Sequence, residues 1–63
     1  MRFPKIQDDL YRVWDDVLGP VGFVKRVVKN LWAARTDDGD IETWDSTRRG
    51  ASLKLIDQLK EAE

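Results

Sequence analysis

The chain has 63 residues, 41% of them hydrophobic and 37% charged, with a formal net charge of −1. A chain this short buries only about 60% of the surface that its unfolded form exposes. It is one domain at most, and its marginal core needs tight helix packing around the tryptophans or self-association. It contains neither Cys nor His, which excludes disulfides, thiol and imidazole catalysis, and ordinary zinc, iron and copper sites.

A carboxylate-pair enzyme would still need a cleft of roughly 300 Å³ or more. A chain of this length offers little room for one, so no enzyme, no cofactor and no small-molecule substrate is expected. The longest apolar run is too short to span a membrane. Met1-Arg2-Phe3-Pro4-Lys5 lacks the apolar stretch of a signal peptide. The expected location is therefore the cytoplasm.

Helical spacing organises the first segment. Ile6, Leu10, Val13, Trp14, Val17 and Leu18 form one stripe of a helix over 4–18, opened by Pro4. Asp8 and Arg12 stand four apart on its outer side and are expected to pair. Gly19-Pro20 then ends this helix and starts another, in a helix-turn-helix-like corner.

The second helix is expected over 20–35. Val21, Val24, Val27, Val28 and Leu31 supply its inner stripe, although four valines lower helix propensity and admit a strand. Thr36 to Trp44 reads as a loop with turn chemistry in Asp37-Asp38-Gly39-Asp40. Asp45 or Ser46 caps a third helix over 46–62, lined by Ala51, Ser52, Leu55, Ile56, Leu59 and Ala62. The expected fold is all-α, a small three-helix bundle.

Charge is sorted along the chain. Pro20 to Arg35 holds Lys25, Arg26, Lys29 and Arg35 and no acid, and Asp37 to Asp45 holds only acids. On a helix, Lys25, Arg26 and Lys29 would share one exposed side with Asn30. Such a cluster suits phosphate contact, with Asn reading base edges. Arg48 and Arg49 open the third helix and are expected to assist. The bland reading is that these cations are solvated or paired with the acidic loop, and a net charge of −1 favours it.

The acidic loop departs from a calcium loop. With Asp38 and Asp40 at the third and fifth ligand positions, Ile41 falls where Gly belongs and Thr47 where Glu belongs. No metal is expected. Among the aromatic residues, Phe23, Trp32 and Trp44 lie at the borders of the stripes or in the loop, and an exposed one would anchor a protein partner.

Val27 to Trp32, the acidic loop, and Asp45-Ser46-Thr47-Arg48-Arg49-Gly50-Ala51 leading to Leu59 resemble the small terminase subunits of tailed phages. In those proteins a helix, a short loop and an Asp-x-x-x-Arg-x-x-Ala helix follow one another. Here Asp45, Arg48 or Arg49, and Ala51 or Ser52 match, one position out of register. The resemblance implies viral DNA recognition by a homo-oligomer in the host cytoplasm.

The function expected from all this is a non-enzymatic module for double-stranded DNA. Phosphates would meet Lys25, Arg26 and Lys29, with Asn30, Arg48 and Arg49 beside them. The alternative is a protein-interaction or oligomerisation module that uses Phe23, Trp32 and Trp44 against a second copy or an acidic protein partner. A third option is an inhibitor whose acidic loop mimics nucleic acid.

Overall fold

Alternation with a period of two, not helical spacing, governs the first two thirds of the chain. The computed structural model describes residues 1–61. It places β1 at Lys5–Gln7, β2 at Leu10–Asp15, β3 at Gly19–Val28, β4 at Leu31–Thr36 and β5 at Glu42–Asp45, followed by α1 at Arg48–Glu61. The strands form one antiparallel sheet in the order β1-β2-β3-β4-β5, and α1 packs across one of its faces.

This arrangement overturns the three-helix bundle. The helix expected over 4–18 is β1, a turn at Asp8-Asp9, and β2. The helix expected over 20–35 is the β3–β4 hairpin, turning at Lys29-Asn30. Gly19-Pro20 is no helix-turn-helix corner; Gly19, at φ 79°, leads out of the preceding turn into β3. Trp44 lies in β5 rather than in a loop.

The physical reason is that β2 and β3 carry apolar groups on both faces. Leu10, Val13 and Trp14 satisfy a helical stripe, yet in β2 Val13 points to α1 while Leu10 and Trp14 point away. Valine and threonine pack well on a pleated surface and lose χ1 freedom in a helix. Their density in β3, with Val21, Val24, Val27 and Val28, tips the balance toward strand.

The turns follow their residues. Asp9 takes φ 60°, which aspartate tolerates better than most side chains. Asp15 accepts hydrogen bonds from the backbone N–H groups of Val17 and Leu18, both at 3.0 Å, and so ties the β2–β3 turn. In the β4–β5 turn, the Thr36 hydroxyl donates to Asp38 at 2.7 Å and Asp38 accepts from the Asp40 N–H at 2.9 Å. Gly39, at φ 76°, completes it.

The core lies between the sheet and α1. Val13, Val24 and Ala34 meet Ala51, Leu55 and Ile56, all buried, with Phe3, Tyr11, Leu18, Val21, Trp32, Ile41 and Leu59 around them. One row crosses four strands, from Tyr11 to Val24 to Ala34 to Thr43. The Thr43 hydroxyl donates to the Ala51 carbonyl at 2.7 Å and so links β5 to α1.

The helix agrees with its sequence reading in lining and falls within the expected 46–62; Ala62 lies outside the described residues. Its cap differs. Thr47, not Asp45 or Ser46, accepts the Gly50 N–H on its hydroxyl at 2.9 Å, which satisfies one of the otherwise unpaired first-turn donors. Asp45 accepts from Thr47 at 3.2 Å and from Lys54 at 3.2 Å. A side chain at position 50 would displace the Asp45 carboxylate and the Thr47 hydroxyl, the groups that cap this end of α1.

Candidate nucleic-acid interface

The sheet face turned away from α1 has no secondary-structure element over it among the described residues. Two rows of side chains stand on this face. One runs from Arg12 through Phe23 and Arg35 to Glu42, and the other from Leu10 through Lys25 and Ala33 to Trp44. Arg2 and Trp14 extend it at one end, where their backbones bridge and the Arg2 guanidinium sits 5.6 Å from the Trp14 ring centroid. The face thus gathers the cations Arg2, Arg12, Lys25 and Arg35 and the aromatics Trp14, Phe23 and Trp44.

Two carboxylates temper this charge. Arg12 donates from both terminal nitrogens to Asp37, at 2.8 and 2.9 Å, while its guanidinium lies 4.4 Å from the Phe23 ring centroid. Arg35 donates to Glu42 at 3.0 Å. Lys25 has no ion-pair partner among the described residues. Leu10, Phe23, Lys25, Ala33, Arg35 and Glu42 line a shallow depression of about 490 Å³. Ala33, only 6% exposed, is its floor, roofed by the longer side chains around it.

The sequence-derived site residues separate in the structure. Lys25, Phe23 and Trp44 come together on the open face, where Trp44 is 44% exposed. Arg26 stands on the opposite face and donates to Asp9 at 2.8 Å. Lys29 and Asn30 occupy the exposed hairpin turn. The single cationic surface expected of a helix over 20–35 therefore does not form, because neighbours in a strand point in opposite directions.

The remaining residues go elsewhere. Trp32 packs against the core with its ring centroid 6.1 Å from that of Tyr11, so Phe23, Trp32 and Trp44 do not share a surface. Arg48 lies over the rings of Phe3 and Tyr11, at 5.0 and 4.3 Å. A cation between two rings is held by their negative faces, which accounts for an arginine at a helix start. Arg49 is exposed at the start of α1. Asp8 pairs with Lys5 at 3.0 Å rather than with Arg12.

No protein family, curated protein or solved structure matches this chain.

Arg2, Arg12 and Trp14 are residues of the open face that sequence reasoning did not single out for a site, and Arg35 was counted in the basic segment but not placed in the candidate site. No polar–apolar alternation marks them: of Leu10, Tyr11, Arg12, Val13 and Trp14 only Arg12 is charged, so the side each residue takes shows only once the strand is paired. No cluster of His, Cys, Asp or Glu with metal-holding geometry occurs among the described residues. No described helix is long and apolar enough to cross a membrane.

Proposed function

We propose that this chain is a non-enzymatic DNA-binding module that lays the open face of its sheet against the duplex. The observation that carries this reading is the gathering of Arg2, Arg12, Lys25 and Arg35 with Trp14, Phe23 and Trp44 on one uncovered face. Cations of this kind bind phosphates, and flat side chains between them contact sugars and bases. The net charge of −1 belongs to the whole chain; on this face the four cations Arg2, Arg12, Lys25 and Arg35 stand against the two carboxylates of Asp37 and Glu42.

The five strands span roughly 19 Å from β1 to β5, wider than the major groove of about 12 Å, which admits a two-stranded ribbon. The face would therefore lie across the sugar–phosphate walls rather than inside the groove. A cytoplasmic setting suits such a module, the host cytoplasm if the chain is viral. The packaging or regulatory context suggested by the small-terminase resemblance rests on its second half alone, since Val27 to Trp32 is a hairpin rather than a helix.

Fluorescence anisotropy with a labelled duplex over a salt series tests this reading. Affinity should fall linearly on a log–log plot, with a slope corresponding to about three to four phosphates. Binding that ignores salt, or none at low salt, would remove the reading in favour of a protein-contact module. That alternative is weakened by Trp32, which packs against the core instead of joining Phe23 and Trp44.

A further inference from the structure

Arg12 is the most constrained cation of the open face. Its side chain is 24% exposed, whereas its partner Asp37 is 52% exposed. Phe23 supports the guanidinium at 4.4 Å, and two terminal nitrogens meet two carboxylate oxygens at 2.8 and 2.9 Å. This fork-to-fork geometry is the one by which a guanidinium grips two oxygens of a phosphate. A carboxylate there occupies the positions that phosphate oxygens would take.

Asp37 is not needed by its own turn. The β4–β5 turn is held by Thr36, Asp38 and the Asp40 N–H, together with the Gly39 N–H donating to the Thr36 carbonyl at 2.9 Å. Among the described residues, the Asp37 carboxylate bonds only to Arg12. It reaches from an exposed turn onto a strand 25 positions earlier. A group that its turn does not use, placed on the best-oriented cation of the face, behaves as an internal ligand.

We propose that Arg12, seated on Phe23, is a phosphate-binding seat, and that Asp37 is its resident occupant, displaced when a phosphate of the ligand arrives. This inference rests on the sheet-face reading for the identity of the ligand, a nucleic-acid phosphodiester, but the seat itself is defined by Arg12, Phe23 and Asp37. Lys25, on the strand next to Arg12, lies in the adjacent row and adds positive potential to the seat. Exchange replaces one two-pronged anion by another, so Arg12 keeps its fork geometry and its Phe23 support while the more exposed Asp37 returns to solvent.

The test compares Asp37→Asn with Asp40→Asn. Both remove one negative charge from the same turn, and only the first opens Arg12. Asp37→Asn should bind duplex DNA about fivefold more tightly than Asp40→Asn, the factor expected for freeing one exposed ion pair. Adding Arg12→Lys to Asp37→Asn should abolish that gain, since an ammonium cannot reproduce the two-pronged contact. Equal affinities for the two single variants would overturn the inference.

A second arm reads the seat without DNA. Inorganic phosphate is titrated into the ¹⁵N-labelled protein while the Arg12 Nε–H resonance is followed. The seat predicts a saturating shift in Asp37→Asn at lower phosphate than in the parent or Asp40→Asn. An unmoved Arg12 resonance in Asp37→Asn would overturn it. A shifted resonance with no duplex binding in any variant would uphold the seat and remove the DNA reading.

Discussion

Lys25 and Arg26 are consecutive in β3 and stand on opposite faces of the sheet. Lys25 joins Leu10, Ala33 and Trp44 on the open side, whereas Arg26 pairs in register with Trp32 and donates to Asp9 at 2.8 Å. Two like charges adjacent in sequence therefore have different surroundings.

Charge reversal at these positions should separate them. Lys25→Glu is expected to weaken duplex binding by about tenfold or more at low salt, since it removes one phosphate contact and adds a repulsion. Arg26→Glu should leave binding within about twofold and lower stability by less than ~1 kcal/mol, the scale of an exposed ion pair. Anisotropy and thermal melts on both variants check this. Equal loss of binding would mean that the open face is not the contact surface.

The core should be intolerant of truncation. Leu55 is fully buried between the sheet and α1. Leu55→Ala is expected to cost about 2–5 kcal/mol, a large share of what a domain this small holds. Urea unfolding followed by tryptophan fluorescence measures it, and a loss under about 1 kcal/mol would contradict the packing described.

Gly22 should resist substitution by alanine; it pairs with Val13 beside the register shift between β2 and β3. A methyl group there would run into the Arg35 carbonyl of β4. Gly22→Ala should destabilise the protein by about 1–3 kcal/mol, as overpacking does. Gly19→Ala is a useful contrast: it meets no neighbouring atom, and its penalty comes only from the positive φ of 79°.

Stability should decline in acid. Asp15 is held below the ordinary aspartate value of 3.8, chiefly by the Leu18 and Val17 N–H groups. Asp38 is lowered by the Asp40 N–H and the Thr36 hydroxyl, and Asp45 by the hydrogen bond from Lys54. Each folded-state value lies below its unfolded one, so the folded state binds fewer protons in that interval. Their stabilisation is complete above about pH 4 and is lost as pH falls through the lowered values. Melts between neutral pH and pH 2 should show the fall only at the acid end, and Asp15→Asn should flatten it.

Part of this molecule was legible in its residues. The inner face of α1 was, because Ala51, Ser52, Leu55 and Ile56 follow one stripe and nothing in that stretch favours a strand. The sheet was not, because Leu10, Val13 and Trp14 satisfy helical spacing while belonging to two faces. A two-faced strand loses the alternation that identifies a one-faced one. The make-up of the open face was obscured for the same reason: the basic segment was legible as charge, but which cations share a side depends on the backbone period. Lys25, Phe23 and Trp44 belong to both readings, whereas Arg2, Arg12, Arg35 and Trp14 gather only once the strands are paired.

Every strand pairs with its immediate neighbours in the chain, and α1 comes after all of them. As synthesis proceeds from the amino end, the hairpins are complete before the segment that shields their apolar underside emerges. Until α1 folds back, Val13, Val24 and Ala34 are open to whatever else the cell offers. Aggregation during expression should accordingly be governed by residues of α1 such as Leu55, even where the finished sheet bears none of the damage.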